Sequence, residues 1–339
     1  MRQQEHIEAS VHPSDLSIPD KKNGDESREE RPLVSVIMNF LNPPEYFFRE
    51  AIESVFAQTY GRWELLLVDD GSTEASTAFA QEYAQQFPDR VRYLEHPGHQ
   101  NRGMSASRNL GIQQAKGTYA AFLDADDVWL PHKLEKQVAV LESYPEAAIT
   151  FGGKIHWYSW NGEKGAIDKP VEIRLPHNTP LPPLTTIRDY VQWNVISGVC
   201  GILIRRDAAI RVGGFDESLT YCEDQSINYK ISARYPTVVT PGQDWKYRRH
   251  PHSLSYTYRT FALDKKIALE LHFLKWVSNF LKQNHIDDAG IWRDLYRTQR
   301  SMRMQLVEMR VSEGMSRQIR AIRKLFRSAR SGNRALAEQ

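Results

Sequence analysis

The 339-residue sequence has little cysteine, little net charge and no long apolar run. Its two cysteines, Cys200 and Cys222, are too few for a disulfide framework or a cysteine-rich zinc site, and a reducing compartment is the simpler reading. Lys and Arg number 44 against 42 Asp and Glu, a formal net charge of +2. That balance excludes a chain coated in basic residues for nucleic acid, unless the charge is unevenly spread. The most apolar stretch, residues 195–204, is far shorter than the ~18–20 residues of a membrane span and contains Gly198 and Gly201. The first thirty residues lack the apolar core of a signal peptide, so the chain is expected to stay in the cytoplasm. What is present is a globular composition, 41% hydrophobic, diluted by something polar and long enough for roughly two domains.

Residues 1–31 hold Pro13, Pro19, Gly24 and an excess of acid, with no apolar periodicity, and read as a disordered tail. Order is expected from Leu33. LVSVIMNF (33–40) has the continuous β-rich character of a strand buried on both faces. Pro43 and Pro44 suit a helix's first turn, and Phe48, Ile52, Val55 and Phe56 follow at helical spacing. Strands are then predicted at 63–70, 91–95 and 119–124, with helices near 77–87, 105–115 and after Pro131. This alternation predicts right-handed βαβ units in a Rossmann-like, mostly parallel α/β sheet with helices on both faces. From about residue 150 the rhythm breaks, and residues 152–185 read as long loops or an inserted hairpin. After Phe261 the pattern is helical. The expected organisation is a tail at 1–31, one α/β domain at 32–260 and a helical extension at 261–339.

Ligands of open α/β sheets bind at the carboxyl ends of the strands. Three predicted strand ends carry polar groups: Asn39 to Asn42, Asp69-Asp70, and Asp124 to Asp127. Carboxylates gathered at one edge repel each other, and a divalent cation is an economical remedy. Asp-x-Asp is a hard-oxygen arrangement suited to Mg²⁺ or Mn²⁺. Taken alone, the same aspartates read more simply as caps for the helix near Pro131.

The strings VSVIMNFLN, SVFAQTYGRWELLLVDDGST, SASRNLGIQQAKGTYAAFLDADD and GGFDESLTYCEDQSINYKI occur in this order. Together they resemble the signature set of family 2 nucleotide-sugar glycosyltransferases of the GT-A fold. The resemblance implies an inverting, metal-dependent transfer from a nucleotide-activated sugar, commonly UDP-linked, to a hydroxyl of a glycan or lipid-linked acceptor. It places Asn39 and Leu41 at the base and ribose and Asp70 on the base. An aromatic residue is usual where this chain has Leu41, so base stacking is not expected there, and Phe40 is expected in the core. Arg108 is implied to counter the diphosphate or a nearby carboxylate, and a plain salt bridge to an aspartate is the alternative. Asp126 is implied as the direct ligand of Mn²⁺ or Mg²⁺ and Asp124 as a ribose contact or a support of the metal, with Asp127 left as a helix cap.

An inverting transfer needs a base for the acceptor hydroxyl, and the resemblance assigns Asp224 that role and Glu223 the orientation of the acceptor. From the residues alone, both read as carboxylates favoured at a helix N-terminus. His250, after Tyr247-Arg248-Arg249, is implied as a metal ligand or diphosphate contact, with Arg248 or Arg249 assisting. Trp157, Tyr158, Trp160, Trp193 and Asn194 lie where relatives build the acceptor site. Aromatic faces suit sugars and suit cores equally.

Residues 297–330 are rich in arginine against only Glu308 and Glu313. On a helix, Met315, Ile319, Ile322, Leu325 and Phe326 fall on one side and the basic residues from Arg317 to Arg330 on the other. This predicts a peripheral contact with an anionic membrane surface on the cytoplasmic face, or a helix packed on the α/β domain. Nucleic acid is not expected, because no base-stacking aromatic set accompanies the arginines. Two rival functions are a nucleotidyltransferase of related fold and a non-catalytic, membrane-docked nucleotide-sugar-binding protein.

Overall fold

The computed structural model describes residues 31–192, 198–309 and 311. In chain order the elements are β1 (Val34–Phe40), α1 (Glu45–Phe56), β2 (Trp63–Asp69), α2 (Glu74–Gln86), β3 (Val91–Glu95), α3 (Met104–Gln114), β4 (Tyr119–Phe122) and β5 (Val128–Trp129). There follow α4 (Lys133–Ser143), β6 (Ile149–Trp157), β7 (Lys169–Val171), β8 (Pro180–Leu181), α5 (Thr185–Val191), β9 (Ile202–Arg205) and α6 (Arg206–Arg211). The last are α7 (Glu223–Ser232), β10 (Thr237–Arg248), α8 (Leu254–Thr260) and α9 (Leu263–Gln283), before a helix over residues 289–309. They fall into two compact units: one runs to Tyr190 and resumes from Val195 to His250, and the other takes Val191–Asn194 and the chain from Pro251 onward.

The first unit is one sheet of order β3-β2-β1-β4-β9-β6-β10-β5. β1, β2, β3 and β4 pair in parallel, as do β6 and β10. β9 enters antiparallel between β4 and β6, and β5, β7 and β8 add short antiparallel edges. β6 and β7 are the hairpin expected within 152–185. Every residue of β1 and β2 is buried, as continuous apolar runs in a doubly covered sheet should be. Phe40 joins Phe48 of α1 at a ring separation of 4.6 Å, and Phe47, Phe48, Ile52 and Val55 bury the inner face of that helix. Each such side chain contributes roughly 1.5–3 kcal/mol on leaving water. α3 lies so close to β1 that a methyl group at Gly111 would overlap Ile37.

In the second unit, α9 buries Phe273, Leu274, Val277 and Leu281, and the helix over 289–309 buries Ile291 and Leu295. Gln299 Nε2 donates to Leu274 O at 3.1 Å and to Ser278 Oγ at 3.0 Å, tying these two helices together. No helix among the described residues is long and apolar enough to cross a membrane. Residues 1–30 and the basic stretch from Ser312 to Gln339 lie outside the described residues, and so does Arg310. The expectations of a disordered tail and a basic amphipathic helix fall there.

Candidate active site

The chain runs outward from β1 to β2 and β3, then returns to place β4 on the other side of β1. Strand order therefore reverses between β1 and β4, the position at which such sheets leave a crevice. Phe40 pairs with Asp69 across β1 and β2, so the ends of these strands lie side by side. Asn39 is buried, and its Oδ1 has no hydrogen-bond partner among the described residues, an acceptor that a ligand N–H can satisfy. Leu41 is half exposed. Asp69 accepts from Ser72 N, Thr77 Oγ1 and Tyr93 Oη, at 2.7, 2.6 and 3.1 Å. Asp70, also buried, accepts Arg102 N at 2.7 Å and Gly103 N at 3.0 Å, and so holds the loop that leads into α3. Gly71 permits this fit: its φ is +82° and a Cβ would sit 2.7 Å from Asn101 N.

Arg108 and Asn109 of α3 organise the far wall. The buried Arg108 guanidinium donates to Asp124 Oδ1 at 2.9 Å and to Glu223 Oε1 at 3.1 Å, joining the end of β4 to the start of α7. Burial pulls its pKa down, but Asp124, Glu223 and Asp224 outweigh that and raise it. Asn109 accepts Phe215 N at 2.8 Å and donates to Phe215 O at 3.0 Å, clamping the Gly213-Gly214-Phe215 turn. Ser226 Oγ then takes Asp216 N at 2.9 Å and donates to Glu223 O at 2.6 Å. Cys222, in the left-handed region at φ +54°, turns the chain into α7 so that Glu223 and Asp224 open it. Asp224 is pushed up to about 7 by burial and by Glu223, with Arg108 pulling the other way.

The turn after β4 separates three aspartates by what they meet. Asp124 lies deep in the crevice with its side chain still 34% open, and burial raises its pKa although Arg108 lowers it. The Asp126 side chain is 31% open, with Oδ2 at 3.0 Å from His250 Nε2. The imidazole is otherwise enclosed, its ring 4.9 Å from that of Phe47. Asp127 is not the expected helix cap. It is fully buried, accepts Arg248 N at 2.9 Å and the Cys200 thiol at 3.3 Å, and precedes a helix that starts only at Lys133. Burial, with Asp126 and Asp124 beside it, raises its pKa well above the ordinary value.

Ligand atoms of Asp124, Asp127 and Cys200 lie within 4.8 Å of one another, an acidic cluster able to bind a metal. The Cys200 sulfur already accepts Asp124 N at 3.3 Å and donates to Asp127, and burial pushes its thiol well up. The open carboxylates of Asp124 and Asp126, with His250 beside them, are the donors left, and hard oxygens of this kind fit Mg²⁺ or Mn²⁺.

Arg248 braces this turn from behind. It donates through Nε to Asp126 O at 2.8 Å and through Nη2 to Glu50 at 2.5 Å, its guanidinium 4.2 Å from the Phe47 ring and 4.4 Å from Trp157. Trp160 Nε1 donates to Arg249 O at 3.0 Å. Trp193 and Asn194 lie outside the described residues. Lys154 of β6 was not legible beforehand. Its ammonium lies 5.5 Å from both the Trp245 and Tyr247 rings, and burial lowers its pKa against the pull of Asp224 and Asp127. The aromatic-rich segment around it was the available signal.

Carboxylates from a strand end and a helix start, joined by one arginine, lie at the switch point of a mixed sheet, and similarity to known proteins gives the class: a glycosyltransferase of the GT-A fold. Residues 35–213 match the pattern described as Glycosyl transferase family 2, and the chain belongs to that family. A Bacillus subtilis (strain 168) protein named glycosyltransferase EpsE is 42% identical over 242 residues, 71% of this chain and 84% of that protein. One from the same organism named teichuronic acid biosynthesis glycosyltransferase TuaG is 33% identical over 180 residues, 52% of this chain and 64% of that one. Two solved structures share the fold. Staphylococcus aureus TarS 1–349 in complex with UDP-GlcNAc has a TM-score of 0.54 at 15% identity, covering 71% of this chain and 65% of that one. The Pyrobaculum calidifontis mannosyltransferase PcManGT, in complex with GDP-Man and Mn²⁺, has a TM-score of 0.52 at 16% identity, covering 81% and 75%.

Proposed function

We propose that this glycosyltransferase is inverting and metal-dependent, moving a sugar from a UDP-linked donor to a hydroxyl of a glycan or lipid-linked acceptor. The observation that carries the reading is the Arg108 bridge, which holds Asp124 and the Glu223-Asp224 pair on one crevice. Asn39 and Leu41 meet the nucleoside, with Asp70 fixing the loop beside it and accepting from the base. Asp126 and His250 hold Mn²⁺ or Mg²⁺, and Asp124 supports them from beside the ribose. A bound divalent cation supplies charge neutralisation to the departing diphosphate.

Asp224 is the base. As the acceptor oxygen bonds to the anomeric carbon, its proton passes to Asp224 and the sugar–phosphate electron pair leaves with the nucleoside diphosphate. A carboxyl near 7 is matched to neutral operation, since it is available as a base and retains the proton it receives. Glu223, held on Arg108, orients the acceptor. The UDP-GlcNAc and GDP-Man complexes of the two fold neighbours support a nucleotide-sugar donor. The arginines between Arg317 and Arg330 place the enzyme on anionic lipid at the cytoplasmic membrane face.

Incubation of the protein with UDP-sugars and Mn²⁺, reading the released product, tests the reaction. Nucleoside diphosphate with sugar transfer is expected. Pyrophosphate release from UTP and a sugar 1-phosphate would instead indicate a nucleotidyltransferase, and binding without turnover a non-catalytic protein. Sedimentation with anionic and neutral vesicles tests the membrane contact, which is expected with the former alone.

A further inference from the structure

The second unit holds a groove of about 610 Å³ between α9 and the helix over residues 289–309. From α9 it is lined by His272, Lys275 and Lys282, and from the facing helix by Arg303, Trp292 and Tyr296. Among the described residues none of the lining side chains is acidic, and three cations and an imidazole face the groove. Trp292 and Tyr296 pair at a ring separation of 5.5 Å, and Trp292 is fixed by its Nε1 donating to Ile286 O at 2.7 Å. Ser278 and Gln299, already hydrogen-bonded to each other, complete a polar floor.

We propose that this groove binds an acidic saccharide chain. Its size falls within the ~300–1,000 Å³ of ligand sites. Aromatic faces beside amide and hydroxyl groups suit the CH faces and hydroxyls of sugar rings, and the cations suit carboxylate or phosphate substituents. An acyl chain is disfavoured, because among the described residues the aliphatic lining is limited to Ala268 and Leu271. Lys275 and Lys282 are seven positions apart, about 10 Å along the helix axis. That spacing is longer than one sugar ring, so it suits acidic groups on separate residues of a chain rather than one charged sugar. The groove is built from the second unit alone and does not rest on the donor reading, since it is tested without donor or turnover.

Titration of the full-length protein with tetragalacturonate, beside neutral maltotetraose and inorganic phosphate, is the test. Tetragalacturonate is expected to bind, more weakly as salt rises, and far more tightly than either control. Lys275→Glu/Arg303→Glu should weaken it at least tenfold. Tyr296→Ala, at a residue 57% exposed, should weaken the tetramer several-fold and leave inorganic phosphate unchanged. Arg293→Glu/Arg297→Glu, the same charge change on the helix over residues 289–309 but outside the groove, should leave affinity within about twofold. The proposal is overturned if that control loses affinity equally, if maltotetraose or phosphate binds as tightly, or if anionic vesicles bind through Lys275 and Arg303 while tetragalacturonate does not bind.

Discussion

The Arg108 guanidinium lies 2.9 Å from the Asp124 carboxylate, and its second arm reaches Glu223 at 3.1 Å. One buried cation therefore joins the end of β4 to the opening of α7, with Arg108 and Glu223 lying 115 positions apart in sequence. Without it, Asp124, Glu223 and Asp224 would face one another as uncompensated anions.

Arg108→Met should destabilise the protein by roughly 3 kcal/mol, the scale of breaking a buried pair by removing one partner. Arg108→Lys should rescue little, because one ammonium cannot reproduce a fork that serves two carboxylates. Urea unfolding checks this, and an unchanged midpoint in Arg108→Met would refute the bridge.

Asp126→Ala and Asp224→Asn should both lower transfer by about a hundredfold or more, the scale for losing a reacting group. Only Asp126→Ala should weaken Mn²⁺-dependent binding of UDP, which calorimetry can measure. Equal weakening in both variants would remove the division of labour between the two residues.

Asp224 also links pH to activity and to stability. As a base it must be deprotonated, so turnover should rise as pH increases through about 7. Its folded pKa lies above its unfolded value of about 3.8, so its contribution to stability is complete below that value and is lost as pH rises toward 7. In metal-free buffer, Asp224→Asn should gain stability relative to the parent between pH 4 and 8. Parallel melting curves of the two proteins across that range would contradict the assignment.

Lys133 is buried, 4.2 Å from the Trp129 ring, and donates to Gln137 Oε1 at 2.9 Å. Burial pushes it down to about 7 from 10.5, with Asp244 opposing. Between those two values the unfolded chain binds the extra proton, so this group makes stability increase from pH 7 toward pH 10. Lys133→Met should remove that rise, as denaturant midpoints at pH 7 and 9.5 can show.

The parts legible in the sequence were those set by neighbouring residues. β1 and β2 appeared as continuous apolar runs, and Asp69 and Asp124 marked strand ends because a carboxylate rarely enters a doubly covered strand. The antiparallel entry of β9 between β4 and β6 left no comparable mark, because strand pairing is chosen by distant partners. The misreading of Asp127 has the same origin. A local rule made it a cap, whereas its hydrogen-bond donor, Arg248 N, lies 121 positions away. Lys154 was missed because a lysine in an aromatic segment looks solvent-facing until β10 brings Trp245 and Tyr247 beside it.

By itself the sequence determined the βαβ order, the strand ends that carry acid, and the four ordered strings that mark the family, all properties of contiguous residues. The tertiary structure alone decided which carboxylates stay open and which are consumed. Asp124 and Asp126 face the crevice while Asp127 is held by Arg248 N and the Cys200 thiol, because those partners come from segments that meet it only when the sheet is complete. It also created the basic groove of the second unit, since two helices had to pack before their cations shared one surface.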